Sequence, residues 1–432
     1  MMTFDPADPD FRRDPYPTYA RLRGRTPVIM RPERGDVFVF GAIAVREALQ
    51  DPRLVMDGAR DGRPGPSWDE MAAIPDPVRR HQGLLAKAQD FHGLWFANLD
   101  SPEHEAVARL FAPPFTATPV REMADVIAQD VGYLLDALDR QSDQGGAIDL
   151  MEGFARRLPM RVIARILGLA GAVPGAADDL TRQVEDWLWA STRSMMAGLD
   201  LDADARCLTL GHFAMVGLVE HVRPYLDRPV RPGLIATLAL HCAEGRVTRD
   251  EALANLSLLL FAGNETTRQL IGATLFHLLS RPEIMTAVAA DLASVAGVVA
   301  EPLRFDPPVQ YVVRRTREPV SLWNVDLPAG VRVRLVVGSA GRDPEAWPSG
   351  VGSGPDPDIF DPWRPQPPSL AFGRGIHHCL GMRLAQAEAV IAVREFLRRY
   401  PEARLVAPGA VWRPSVRVRD LAHLFISTGG RS

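Results

Sequence analysis

The sequence predicts a mainly α-helical protein with small β-sheets, folded as a single domain, on three observations. From Pro102 to Leu279 apolar residues recur mostly at three- and four-residue spacing, interrupted by Gly, Pro and Asp turns. Strand-like runs are short: Val28–Met30, Val37–Phe40, Val309–Val313 and Val331–Val337. No internal repeat, low-complexity tract or clear linker interrupts the 432 residues, so one domain over 1–432, with a core of about 14–426, is the economical reading.

In chain order, Asp14-Pro15-Tyr16-Pro17 leads into a short helical pattern at Tyr19 and Leu22. The first two strand-like runs flank a Pro32–Gly35 turn and read as a hairpin, and Ala42–Leu49 reads as a helix. From Asp57 to about Pro77 the chain is rich in Gly, Pro, Asp and Arg, which predicts a long loop. Trp187-Leu188-Trp189 and Met195-Met196 read as core side chains, with a substrate-facing role as the alternative. The longest helix is expected over Arg249–Ser280, opened by a capping box at Thr248 and Glu251 and stopped before Pro282. Beyond it lie a short helix near Glu301–Arg304 and the later strands. Pro/Gly/Asp-rich coil follows from Asp343 to Pro368, with an insertion-like Ser349–Gly354. Pro302 lacks an N–H and disfavours helical angles at Glu301, which predicts that this short helix begins at Glu301.

Composition narrows the function classes. A hydrophobic share of 47% and a charged share of 24% are ordinary for a soluble protein, and a net charge of −4 gives no reason to expect nucleic acid. Cys207, Cys242 and Cys379 are too few and too scattered for a disulfide framework or a four-thiolate zinc site, which fits a reducing cytoplasm. Met1–Arg13 is acidic and polar and lacks a signal pattern. The longest apolar run, Leu253–Gly263, carries Asn255 and Ser257 and is too short to span a bilayer.

The chemistry concentrates at Phe372-Gly373-Arg374-Gly375-Ile376-His377-His378-Cys379-Leu380-Gly381, which runs directly into a helical pattern over Met382–Arg399. First-turn N–H groups and the helix dipole favour a thiolate at that point, and a thiolate is a nucleophile or a metal ligand. Gly373, Gly375 and Gly381 permit close approaches that a side chain would block. The plainer reading, a buried small hydrophobe, leaves the glycines and the paired histidines unexplained. Finger-like zinc spacing is absent, and a catalytic base would not sit in the adjacent turn. A thiolate held against haem iron needs an open loop, close backbone approach and N–H donors to sulfur.

Phe372-Gly373-x-Gly375-x-His377-x-Cys379-x-Gly381-x-x-Leu384-Ala385 resembles the haem-binding signature of the cytochrome P-450 superfamily. Three further stretches resemble family segments in the expected order. The first is Ala262-Gly263-Asn264-Glu265-Thr266-Thr267, inside the long helix. By itself it reads equally as a solvated Glu265 and a Thr266 bonded back to the preceding turn. The resemblance implies a distal acid–alcohol pair, with Thr266 positioning dioxygen and its protons and Glu265 feeding protons from solvent. The second is Glu301-x-x-Arg304, which alone would be a helical ion pair. The resemblance implies a buried structural pair near the cysteine loop, joined by Arg364 from the coil. The third is Leu99–His104 followed by Arg109–Phe115, resembling the segment that reaches the haem propionates. His104 matches the usual histidine. The usual arginine position falls on Ala108, and Arg109 comes one place late. Arg314 and His377 are the other propionate candidates by motif position.

The resemblance covers about Asp14 to Ile426 and implies a triangular-prism fold with a long central helix over the haem. It implies haem b (iron protoporphyrin IX) as cofactor, Cys379 as iron ligand, and Phe372, Gly373 and Gly381 as shaping the ligand loop. The implied activity is a soluble, cytoplasmic haem-thiolate monooxygenase of bacterial type that hydroxylates a small hydrophobic molecule with dioxygen. Phenol coupling, cyclisation or desaturation by the same chemistry is the alternative, and a non-catalytic haem-bearing recruitment or sensor module is a second. Electrons would come from a separate ferredoxin or flavodoxin and its reductase, docking near Arg374 and Arg383. A monomer is expected, with neither nucleic acid nor membrane as partner.

Overall fold

One helix, Arg249–Leu279, is 31 residues long and so about 46 Å from end to end. The expected capping box is present: Thr248 N–H and Oγ1–H both reach Glu251 Oε2, at 2.9 and 2.7 Å, and the Glu251 N–H returns to Thr248 Oγ1. The computed structural model containing this helix describes residues 5–31, 35–56, 76, 83, 91–142, 146–169, 179–198, 205–349, 355–365 and 369–429. The loop expected over 57–77, apart from Asp76, and the insertion-like 350–354 lie outside the described residues.

The chain, read from sequence as one domain, divides into two compact units. One comprises Met1–Asp57, Ile127–Ala155 and Thr266–Ser432; the other comprises Gly58–Val126 and Arg156–Glu265. The division falls inside the long helix, between Glu265 and Thr266.

The first unit carries the small sheets. Strands β1 (Val28–Arg31), β2 (Asp36–Val39), β3 (Leu54–Val55), β5 (Val312–Thr316) and β8 (Arg332–Leu335) form a sheet in the order β1-β2-β8-β5-β3. β1–β2 is the expected hairpin, and β2–β8 is a parallel pair. Its apolar face closes over the helix Ala42–Ala48, burying Val37, Val39, Val45, Val333 and Leu335 completely. β4 (Ile148–Asp149), β10 (Asp420–Ser427) and β9 (Arg404–Arg413) form a second sheet that the sequence reading had not marked. The β10 apolar spacing at Leu421, Leu424 and Ile426 is interrupted by register shifts, which blur the two-residue alternation. β6 (Val320–Leu322) and β7 (Val325–Leu327) make a two-residue hairpin whose turn residues Trp323 and Asn324 both have positive φ, 46° and 63°.

The helix containing Glu301 does not start there. It spans Val295–Phe305 with Pro302 inside it. Burial of Val295, Val298 and Val299 drives this helix, and the cost of one proline is outweighed by that apolar face and by the ion pair beyond it. The first unit also holds the helix Met382–Arg399, as expected from the sequence.

The second unit is helical. It contains Glu103–Phe111, Arg157–Leu167, Asp179–Gly198, Ala205–Asp227, Leu234–Ala243 and the first half of the long helix. Gly168 ends the Arg157–Leu167 helix at φ 79°, and its backbone sits so close to Gly233 that a Cβ on either would meet the other's chain. Leu188 and Met195 are core residues, as read from sequence, whereas Trp187 is 37% exposed. Trp189 lies under the Arg156 guanidinium at 4.7 Å.

Within the first unit a buried polar cluster ties distant segments together. Asp306 accepts from Tyr16 Oη and, at 2.8 Å, from Arg419 Nε. Arg342 stacks between the Tyr16 and Phe305 rings. His277 is 4% exposed, stacks on Phe360, and takes Arg281 Nη1–H at Nδ1 (3.1 Å). Its own proton therefore sits on Nε2, 3.8 Å from Asp306 Oδ2 and too far for a hydrogen bond. Burial, opposed by Asp306 and assisted by Arg281, Arg342 and Arg419, lowers the His277 pKa to about 3. A depressed folded-state pKa gives stability that is present above the unfolded value of 6.5 and is lost as pH falls toward 3. Urea unfolding across pH 7 to 4 is therefore expected to show stability falling more steeply in the native protein than in His277→Phe. Parallel pH profiles would disprove the role of His277.

Candidate active site

In the first unit, Leu370–Phe372 and Gly375–His377 are single 3₁₀ turns joined by Gly373 and Gly375 at φ 67° and 71°. These angles favour glycine and fold the loop back on itself, so that the Cys379 N–H donates to the Phe372 carbonyl at 2.9 Å. Gly381 then caps the helix Met382–Arg399. Cys379 is exposed, as are Ile376 and His378, while His377 is half-buried. Around the sulfur itself, desolvation raises the thiol pKa above its ordinary value, opposed by hydrogen bonds from the Gly381 and Met382 backbone N–H groups. The helix start is thus aimed at the sulfur as expected, but it does not outweigh the desolvation.

The loop is tied to the buried ion pair. Ser369 Oγ donates to the Leu303 carbonyl at 2.9 Å. One turn away, Glu301 and Arg304 have fully buried side chains and meet through two bonds, Nε–Oε2 at 2.9 Å and Nη2–Oε1 at 2.6 Å. Arg304 also donates to the carbonyls of Gly341, Pro357 and Ile359, and Glu301 accepts the Asp361 N–H. Arg364 joins indirectly. It bonds the carbonyls of Pro355, Asp356 and Ile359, sharing the last with Arg304, and makes no hydrogen bond to Glu301.

From Ala252 to Leu275 every residue of the long helix is buried except Ala262, Gly263 and Thr266. Their i, i+1, i+4 spacing places them on one side of the helix. A Cβ on Gly263 would touch only Ile163 side-chain carbons, at an ordinary 3.7 Å, so the protein itself does not demand glycine there. Glu265 is 3% exposed rather than solvated. The helix runs unbroken through the motif.

The second unit holds the other sequence candidates. His104 is 6% exposed, with Nδ1 at 2.8 Å from the Phe96 carbonyl, so Nδ1 carries a proton. Arg109 is exposed and, five residues on, lies about 140° around the same helix from His104. The structure does not bring these two together. Arg314, in the first unit, is 5% exposed on β5, with Nη1 donating to the Val313 carbonyl.

Several residues escaped the sequence reading. Asn255 is fully buried and fastens the segment 94–96 to the long helix, accepting the Phe96 N–H (2.7 Å) and donating to the Leu94 carbonyl (3.0 Å). Trp95 stacks on Phe261 of the same helix at 5.5 Å. An Asn inside an apolar helical run is the one signal that could have pointed there. Glu388, on the helix that follows Cys379, is 2% exposed with Oε2 lacking a hydrogen-bond partner among the described residues. Burial, then the nearby Asp130, pushes its carboxyl well above the usual range. Among the described residues no cluster of three His, Cys, Asp or Glu side chains could hold a metal ion by itself.

The cytochrome P450 family profile matches residues 218–403. Across 426 residues the chain is 34% identical to the cytochrome P450 monooxygenase PikC of Streptomyces venezuelae, over 96% of this chain and 91% of that protein. The chain belongs to the cytochrome P450 family. Vitamin D(3) 25-hydroxylase of Pseudonocardia autotrophica is another relative, 32% identical over 98% of this chain and 96% of its own. Among solved structures, CalO2 matches with a TM-score of 0.80 at 28% identity over the whole of both chains. Epothilone D-bound P450epoK matches at 0.81 and 25%, again over both chains entirely. This P450 is an oxidoreductase, its fold is mainly helical with small sheets, and the family's cofactor is haem. Cys379, exposed as a residue and with two backbone N–H donors at its sulfur, fits that group.

Arg304→Leu strips Glu301 of its partner in a fully buried site and is expected to cost about 3–5 kcal/mol. Urea denaturation would show this as a lowered midpoint. A loss under about 1 kcal/mol would mean that the pair carries little of the fold.

Proposed function

We propose that this P450 inserts one oxygen atom of dioxygen into a small hydrophobic organic molecule, most simply by hydroxylation, with two electrons and two protons converting the second atom to water. The single observation that carries this reading is the opening at Ala262, Gly263 and Thr266 in a helix otherwise buried from Ala252 to Leu275. An alcohol beside an uncrowded glycine, next to a buried acid, suits a helix that meets a ligand and its protons rather than one that only packs.

Haem bound through Cys379 would supply reductive activation of dioxygen. Cys379 provides the thiolate, and the Gly381 and Met382 N–H groups hold its charge at the sulfur. Phe372, Gly373 and Gly381 shape the loop so that the sulfur stays accessible. By motif position, His104, Arg314 and His377 are the residues proposed for the propionates. Arg109, exposed and turned from His104, is left out of that set. Thr266 donates a proton at its hydroxyl, and Glu265 replaces that proton from solvent, which is general-acid work relayed through an alcohol. Glu301, Arg304 and Arg364 hold the coil that leads to the cysteine loop.

Electrons come in this proposal from a separate ferredoxin or flavodoxin, met by the exposed Arg383 and the neighbouring Arg374. No single helix among the described residues is long and apolar enough to cross a membrane, which suits a cytoplasmic enzyme served by a diffusing partner.

Two measurements test the assignment. The reduced protein with carbon monoxide should give the strongly red-shifted Soret band of thiolate ligation, and Cys379→Ser should abolish it; an unshifted, globin-like band in the native protein would overturn Cys379 as ligand. Thr266→Ala should keep that band while a smaller share of the electrons consumed ends in product. Unchanged coupling would remove Thr266 from the proton path.

A further inference from the structure

The long helix grips the β9–β10 hairpin just beyond the acid–alcohol pair. Gln269 is 2% exposed; its Oε1 accepts the Leu421 N–H at 3.0 Å and its Nε2 donates to Asp420 Oδ1 at 3.0 Å. Arg268 is 1% exposed; its Nη1 donates to the Leu421 carbonyl and its Nη2 to Asp420 Oδ1, both at 2.9 Å. Both backbone polar groups of Leu421 are therefore taken by side chains of one helix. Such groups are ordinarily paired within a sheet, and β10 meets β4 only further on, at Phe425 and Ile426. Gly272, one turn after Gln269, lets the strand approach: a Cβ there would collide with the Met151 sulfur and lie 3.4 Å from Leu421 Cδ2.

Thr266, Gln269 and Gly272 follow one another at three-residue spacing, so they form one ridge on the helix surface. The hairpin segment next to the clamp is held in turn. Gln310 N–H donates to the Arg417 carbonyl at 2.8 Å, Val309 and Val418 form an isolated bridge, and Arg419 N–H donates to the Pro308 carbonyl. Val416 and Val418 are buried, 3% and 6% exposed. All of these residues belong to the first unit, as does Thr266.

We propose that Gln269, assisted by Arg268, is a positioning residue that holds the paired segments Val309–Gln310 and Arg417–Val418 at a set distance from Thr266 and thereby limits the size of molecule admitted beside Thr266. A side-chain clamp suits this task better than a sheet ladder. It fixes one strand residue to the ridge that carries Thr266 and leaves the rest of the hairpin free to differ in length and sequence. The inference rests on the haem-thiolate reading, because it takes Thr266 as the point beside which substrate is oxidised.

The test uses the holoprotein and two azole probes, imidazole and the bulkier 4-phenylimidazole, followed by the absorbance change on binding. In Gln269→Leu, which removes both bonds at similar volume, 4-phenylimidazole affinity is expected to change by about tenfold while imidazole stays within about twofold. The carbon monoxide band should be intact, and the Leu421 amide should exchange hydrogen faster. A loss of stability without a role in positioning would leave the ratio of the two affinities unchanged, and that result overturns the proposal. Should Gln269→Leu fail to fold, Asp420→Asn weakens the clamp without removing a side chain, and the same ratio decides. Absence of the red-shifted band in the unaltered protein would instead overturn the haem-thiolate reading, and the proposal with it.

Discussion

A single buried guanidinium holds together the part of the molecule that presents the cysteine. Arg304 spends its donors on Glu301 and on three carbonyls, at Gly341, Pro357 and Ile359, so coil with no secondary structure of its own is fastened to a helix. Coil of that kind would otherwise carry unpaired backbone groups into the interior. Packing at the same place leaves no slack: a Cβ on Gly341 would collide with the Arg304 carbonyl. Once this coil is anchored, Ser369 pins the start of the cysteine loop to Leu303, and the loop can be open on one side without losing its shape.

The sulfur itself meets two opposed effects. Two N–H groups point at the Cys379 sulfur, yet desolvation still pushes its thiol upward. In the proposed reading, a positive iron would favour the thiolate that burial disfavours. Burial pushes the carboxyl of Glu388, on the helix that begins beside that loop, well above its ordinary range.

The long helix distributes several tasks along one rod. Its N-terminus is capped, Asn255 fixes the segment 94–96, and the stretch from Ala262 to Thr266 opens to one side. Arg268 and Gln269 then grip β10, and near the end His277 packs into the Asp306 cluster.

Much of this was legible in the residues themselves. The capping box, the helical periodicity and the glycine-spaced cysteine loop are local patterns, governed by backbone angles and by contacts a few residues apart, so the sequence by itself determined the long helix and the loop. Tertiary structure decided what depends on partners distant in sequence. The helix around Glu301 extends back to Val295 because burial of its valines outweighs Pro302. Arg364 reaches carbonyls rather than Glu301, and Arg109 turns out to solvent while His104 turns in. The β9–β10 hairpin and its clamp at Gln269 join residues more than 150 positions apart, and spacing along the chain carries no record of such a pairing.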